Sequence, residues 1–403
     1  MELINLNRTD RIGLTGKQKS ALFFSTLFVF ANIYSPQPIL PSLTRVYHQP
    51  PQMVSLIISL PLILIALFSL LYGCVSDRYG RWTVMRWSTV VLIVPTLLLT
   101  IAPNFYILLF LRALQGLLLP GYMTTVISYV NDIFLPTERG AGMGIFAAAS
   151  AIAGPLGRIE IGTLSQFLDW KAGFLSAALA TLIAWILIDR VLPNEISQTG
   201  NISSAADNVS SKEDLKRILV SFGEHLHNRH LAGTYLVGAA MHASFISVLT
   251  YLPFRLSQAP YNLNNSQISL IYALYLLGAL IAPRAGRLSD SIGRRFVLGL
   301  ALTLMLMGLW LTISSSLIFI LMGITLTILG LFSVQSTATS LIGDWTVKNR
   351  GTATSLYTFF YYLGAGVGTS INAIIWVQAS WIGIITFCSF SILMALLSVA
   401  ILC

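Results

Sequence analysis

Apolar stretches of about 20 residues follow one another along this chain with short polar breaks, and each is long enough to cross ~30 Å of hydrocarbon as an α-helix. Twelve are read, near 20–42, 53–73, 83–101, 105–131, 140–165, 170–189, 231–257, 267–287, 296–313, 315–341, 352–377 and 379–402. One long polar interruption, 190–230, separates a first set of six spans (20–189) from a second (231–403), and a polar tail occupies 1–19. Within the interruption Leu215, Ile218, Leu219 and Phe222 keep helical spacing, and Ser211 with Asp214 forms a capping pair. A short amphipathic helix along the membrane surface is expected there, in a linker too short for its own core.

The two sets are related. Gly73-Cys74-Val75-Ser76-Asp77-Arg78-Tyr79-Gly80-Arg81 recurs 213 residues later as Gly286-Arg287-Leu288-Ser289-Asp290-Ser291-Ile292-Gly293-Arg294, each copy joining two apolar spans. Arg139-Gly140 and Arg350-Gly351, Gly157 and Gly368, and Trp170 and Trp381 keep an offset of 211. Two six-helix halves facing each other around a midplane site are how many secondary transporters are built. The expected fold is therefore an all-α polytopic membrane protein with twelve transmembrane helices in two pseudo-symmetric six-helix bundles. In the repeated loop Gly80 is expected to take the positive φ that reverses the chain, and Asp77 to accept from a helix N-terminus or a cation. Gly73, Asp77, Arg78, Gly80 and Arg81, with Asp132 as partner for Arg81 or Arg78, read as a conformational latch; Gly286, Asp290, Gly293 and Arg294 form its second copy.

Composition agrees with the bilayer. The chain is 55% hydrophobic and 10% charged, against about 25% charged in soluble domains, and its mean hydropathy is +0.77. The formal charge of +9 falls on alternate loops: with the N-terminus inside, the outer loops hold only Arg45, Lys171 and Arg255. By the positive-inside rule both termini and the linker are expected in the cytoplasm, with basic patches facing anionic lipid rather than nucleic acid. The first apolar run follows a polar stretch and is a full span, so it is expected to act as an uncleaved anchor. Cys74, Cys388 and Cys403 have no metal-like or disulfide spacing, and His225, His227 and His230 read as a solvated loop. Neither a metal nor a cofactor is expected, and no nucleophile–base pair or phosphate loop points to an enzyme.

Charged groups at membrane depth cost roughly 2.5–3.5 kcal/mol and mark functional candidates. Arg112 lies in the fourth span, Arg158 and Glu160 in the fifth, and His242 near the middle of the seventh. These four are the proton-coupling candidates. Glu160 is the only acid well inside a span, and two roles stand for it: a proton carrier, or half of a structural ion pair near the outer interface. Positions 158 and 160 point roughly 200° apart on a helix, which separates Arg158 from Glu160. An Arg112–Glu160 contact, direct or through water, is expected instead, with Arg158 on the face of Gly154, toward the cavity or another helix.

The chain resembles the major facilitator superfamily from residue 20 to 402. The repeated loop matches that family's conserved loop motif, and Arg112-Ala113-Leu114-Gln115-Gly116 is similar to its motif with a buried arginine linked to proton coupling. Pro38-Ile39-Leu40-Pro41 resembles the first-helix signature of twelve-span drug:proton antiporters, and Ser150-x-x-x-Gly154-Pro155-Leu156-Gly157 the antiporter motif of the fifth span. Ser150 and Arg158 depart from that motif. Arg158, with Asn32-Ile33-Tyr34-Ser35-Pro36-Gln37 and Tyr357 to Gly364, is more similar to the bacterial arabinose-efflux-like or YnfM-like branch. The resemblance implies a cavity lined by spans one, four, seven and ten, here Asn32, Tyr34, Gln37, Arg112, Gln115, His242, Tyr251, Ser333, Gln335 and Ser336. Tyr357 and Tyr361 of the eleventh span offer an aromatic face, toward the cavity or toward lipid. The implied activity is proton-coupled export of a small organic solute (a drug-like compound, sugar or metabolite) by alternating access. The proton gradient would supply the energy, and the protein would be a monomer in the bacterial inner membrane. Uptake or uniport by the same fold, and a receptor or scaffold that moves nothing, remain as alternatives.

Overall fold

The computed structural model describes residues 15–135, 137–194, 223, 225–346 and 350–402. The linker helix read at 211–222, and most of the tail read at 1–19, lie outside the described residues. The helices are α1 (Gly16–Tyr34), α2 (Leu56–Tyr79), α3 (Arg81–Leu98), α4 (Phe105–Met123, continued by Thr125–Ile133), α5 (Arg139–Phe167) and α6 (Trp170–Arg190). After the linker come α7 (Arg229–Leu256), α8 (Asn265–Ile271 and Tyr275–Ile292), α9 (Arg294–Leu311) and α10 (Leu317–Trp345). The run Arg350–Ile401 breaks at Ser380, whose φ is 49°, into α11 (350–379) and α12 (381–401).

Among the described residues ten helices are long and apolar enough to cross a membrane. The run Gly351–Ile401 is one of the ten and carries two spans across Ser380. The first span makes up the rest of the twelve: Lys17 and Lys19 dilute the start of α1, and its far end is broken off. The break follows from Pro36, Pro38 and Pro41, which cannot donate to a helical ladder. A 3-10 turn, Gln37–Ile39, and a short helix, Leu40–Tyr47, complete that crossing. In α8 a 3-10 turn, Tyr272–Leu274, interrupts the helix in the same way. Two spans thus depart from regular α-helix inside the bundle, where irregular backbone is tolerated only against protein.

The repeated loop builds one face of the bundle, called here the basic face. Gly80 (φ 86°) and Gly293 (φ 101°) turn α2 into α3 and α8 into α9. Arg81 lies 3.3 Å from Asp77 and 2.5 Å from Asp132 at the end of α4. Arg294 repeats this with Asp290 at 3.3 Å and with Asp344 at the end of α10. Each arginine therefore ties three helices of its own half. The internal symmetry extends to packing: a Cβ on Gly157 would sit 2.8 Å from the Ala31 carbonyl oxygen, and one on Gly368 2.6 Å from Ala243 Cβ. These glycines let α5 touch α1 and α11 touch α7.

The halves meet from mid-depth to the opposite face. Tyr34 and His242, Gln37 and Thr250, Ser55 and Tyr251, and Ser42 and Asn265 are hydrogen-bonded across the seam at 3.0, 2.9, 2.8 and 3.0 Å. Of the ten apolar helices α7 is the most enclosed, with 89% of its most apolar window buried.

Gly80→Ala and Gly293→Ala should each lower stability by about 1–3 kcal/mol, because a side chain is forced into backbone territory that belongs to glycine. Thermal unfolding of the purified protein in detergent checks this. Unchanged melting in both variants would show that the turns relax without cost.

Candidate functional site

Arg112 is buried in the first half, and its donors are spent on backbone. Its Nε donates to the Ile57 carbonyl at 3.0 Å, Nη1 to the Asn32 carbonyl at 3.0 Å, and Nη2 to the Ile33 carbonyl at 2.8 Å. Two of these acceptors are orphaned by proline. In a regular helix the Asn32 oxygen would be taken by residue 36 and the Ile57 oxygen by residue 61, and both are prolines without an N–H. Nη1 also donates to Gln115 Oε1 at 2.5 Å, and Gln115 Nε2 to Thr96 Oγ1 at 2.7 Å, which draws α3 into the same network. The expected Arg112–Glu160 contact is therefore corrected. Glu160 is not among the partners of Arg112 and lines a crevice between α1, α5 and α6 with Asn32, Ser35 and Gly157. The ion pairs of the described residues involve Asp77, Asp132, Asp189, Asp290 and Asp344 and leave Glu160 out.

Arg158 occupies the seam itself and is 0% exposed. A helical side chain leans toward its own N-terminus, so the guanidinium of Arg158 lies back over Gly154, whose added Cβ would meet Nη1 at 3.0 Å. Its Nε donates to Gln37 Oε1 at 2.7 Å and its Nη2 to Tyr275 Oη at 3.3 Å. The guanidinium carbon stands 4.7 Å from the ring centroid of Tyr34 and 4.9 Å from those of Tyr272 and Tyr275. The two interrupted spans supply this cage: Tyr34 and Gln37 flank the break of α1, and Tyr272 and Tyr275 flank that of α8. Nη1 has no partner.

Tyr34 links the cage to α7. Its hydroxyl is 3.0 Å from His242 Nε2, and the imidazole stacks on Tyr361 with centroids 3.6 Å apart. His242 is buried, and among the described residues its Nδ1 has no hydrogen-bond partner, nor does the hydroxyl of buried Tyr357. Tyr357 packs where Gly238 leaves room, so both tyrosines of α11 face protein rather than lipid. Arg158, Gln37, Tyr34, His242 and Tyr361 thus form one continuous chain of contacts.

Other candidates lie elsewhere. Asn32 donates to Thr181 of α6 at 3.1 Å and, like Gln115, serves the interior of the first half. Tyr251 donates to Ser55 and stacks on Trp376 nearer the opposite face. Ser333 bonds its own helix, Ser336 packs against Gly286, and half-buried Gln335 sits beside them on α10. Three participants were absent from the sequence reading. Tyr272 and Tyr275 were missed because α8 was not counted among the cavity spans, and Asp344 although it stands 212 residues after Asp132.

Two six-helix halves repeated about a buried polar seam define a membrane transporter. The Major Facilitator Superfamily family model matches residues 22–262 and 256–403, and the chain belongs to that family. It is 30% identical over 376 residues to the uncharacterized MFS-type transporter YybF of Bacillus subtilis, spanning 93% of this chain and 91% of that protein. It is 29% identical over 377 residues to the inner membrane transport protein YnfM of Escherichia coli, spanning 94% and 88%. A bacterial homolog of the human lysosomal transporter Spinster shares the fold with a TM-score of 0.74 at 14% identity, over 95% of this chain and 94% of that one.

Arg112→Lys should destabilise the protein, each buried carbonyl left unpaired costing about 1–3 kcal/mol. Pro61→Ala restores an N–H for the Ile57 oxygen, so the loss should shrink in that background. A double-mutant cycle on thermal unfolding reads this directly, and an identical loss in both backgrounds would show that Ile57 is not what Arg112 serves.

Proposed function

We propose that this transporter is a proton-coupled exporter of a small organic solute, with the Arg158–Tyr34–His242 seam as its central site. One observation carries the proposal: three of the buried polar atoms without a hydrogen-bond partner among the described residues, Arg158 Nη1, His242 Nδ1 and the Tyr357 hydroxyl, lie along one chain of contacts where the halves meet, while others, such as those of Ser59, Tyr235 and Ser389, lie outside that chain. Unpaired polar groups at that depth are costly unless a transported molecule uses them. Export is supported by the similarity of Pro38–Pro41 and Ser150–Gly157 to antiporter motifs, and a cytoplasmic basic face by the Lys/Arg bias. With that orientation the halves are joined on the outer side, and transport rocks them about the seam. The Asp77 and Asp290 loops sit at the far end of each half, suited to latch the alternate state.

Glu160 carries the coupled proton in this reading. It is the acid deep in a span, no ion pair among the described residues holds it, and its crevice includes Ser35 at the break of α1. The next turn of that break holds Gln37, which bonds Arg158. His242 is the second protonatable group, faced by Tyr34 of α1, Arg158 of α5, and Tyr361 and Tyr362 of α11.

Orientation is checked first. A cysteine placed at residue 200 should escape an impermeant reagent added outside intact cells, and efficient labelling would invert the topology. In proteoliposomes with an imposed pH gradient, Glu160→Gln should abolish gradient-driven flux while substrate exchange continues. Full gradient-driven flux in Glu160→Gln with its loss in His242→Gln would move the proton site to α7, and full flux in both would remove proton coupling through either.

A further inference from the structure

The charge inventory of the seam is one-sided. Arg158 is wholly buried, and its neighbours are an amide oxygen, a phenol and three ring faces, none of which carries a negative charge. A guanidinium is a permanent cation. The three tyrosine faces offset part of its desolvation, since a cation over an aromatic ring is attracted by the ring's negative face, the more so when water is excluded. They cannot satisfy its in-plane donors. Nη1 stays unpaired, held over Gly154, where no side chain crowds it.

Arg112 differs in kind. It too is buried without an acid, yet every nitrogen of its fork has an oxygen acceptor, and it serves the fold. Arg158 instead stands between halves that must separate, with Gln37 and Tyr34 on its own half, Tyr272 and Tyr275 on the half that leaves, and a donor to spare. A guanidinium binds a carboxylate through parallel N–H···O bonds, the strongest pairing open to it. The surrounding walls, Tyr34, Tyr272, Tyr275 and Tyr361, are flat and largely apolar, suited to a planar body. His242 Nδ1 and the Tyr357 hydroxyl provide polar contacts at the far end of the same chain of rings.

We propose that the transported solute is a small organic carboxylate with a flat, apolar or aromatic body, and that Arg158 is its charge-recognition residue. This rests on the transporter reading above and narrows it. The same inventory disfavours cations, because a positive ligand entering this seam meets Arg158 with no carboxylate to screen it.

The test uses the full-length protein in detergent and matched probes of one shape and three charges: benzoate, benzamide and benzylamine, and the corresponding indole-3-acetate, indole-3-acetamide and tryptamine. Carboxylates should raise the melting temperature, and their amide and amine counterparts should not. Arg158→Gln should weaken carboxylate binding by about tenfold or more, and Arg158→Lys by less. Gly154→Ala, which crowds Nη1 while keeping the charge, should also weaken it. Stabilisation by amines or amides equal to that by carboxylates, no stabilisation by either carboxylate, or undiminished binding in a folded Arg158→Gln would each overturn the proposal. Should Arg158→Gln fail to fold, the charge series on the wild type and Gly154→Ala decide alone. Gradient-driven flux in proteoliposomes separates the two readings. Carboxylate binding without flux would defeat the proton-coupled exporter and keep the anion site, whereas pH-driven flux of amines would do the reverse.

Discussion

Every backbone carbonyl inside a bilayer must find a donor, and in this protein prolines have removed several of those donors from the first two spans. Pro36 frees the Asn32 oxygen and Pro61 the Ile57 oxygen, and the single side chain of Arg112 takes both together with that of Ile33. The arginine is thus a substitute piece of helix ladder shared by α1, α2 and α4. Because its fork is rigid, it fixes where α1 stops being a helix. That stop places Tyr34 and Gln37 at mid-depth on a backbone free to turn, and the seam is assembled on them.

The break in α1 has its counterpart in the 3-10 turn of α8, and between the two sits Arg158. Its contacts to Tyr272 and Tyr275 are among those that join the halves, so the same groups that close the opposite side also hold the buried charge. Its partners are ring faces and neutral oxygens rather than a carboxylate. Tyr34 lies between Arg158 and His242 and touches both, so one ring joins the guanidinium of the first half to the imidazole of the second.

Much of this architecture was legible in the chain. The twelve spans, the repeat, and the glycine turns at 80 and 293 are local or periodic features, set by residue type and spacing, and the turns have the positive φ that the motif required. The opposed faces of Arg158 and Glu160 also follow from helical geometry alone. The partner of Arg112 was not legible by the same route. Matching side-chain charges at similar depth pointed to Glu160, whereas the acceptors are main-chain carbonyls, which an inventory of side chains does not count. The signal was present in Pro36 and Pro61, read as donors missing rather than as kinks. Tyr272 and Tyr275 were hidden differently: three residues apart in an apolar span they look like core, and only the approach of α5 from the other half makes them a cage.

The repeat also shows where the chemistry was added. At the offset of 211 that pairs Gly157 with Gly368, Arg158 corresponds to Thr369 and Glu160 to Ile371. Thr369 is buried and uncharged, and its main-chain carbonyl accepts from the Tyr251 hydroxyl at 3.3 Å. The loop arginines, their acidic partners and the close-packed glycines are duplicated, as is Arg139 at the start of α5, whereas the two ionisable groups in the interior of that helix, Arg158 and Glu160, are not. A frame that rocks needs two similar halves. Recognition of a solute needs no such symmetry, and at the same offset the seam residues Arg158 and His242 correspond to Thr369 and Ala31, neither of them ionisable.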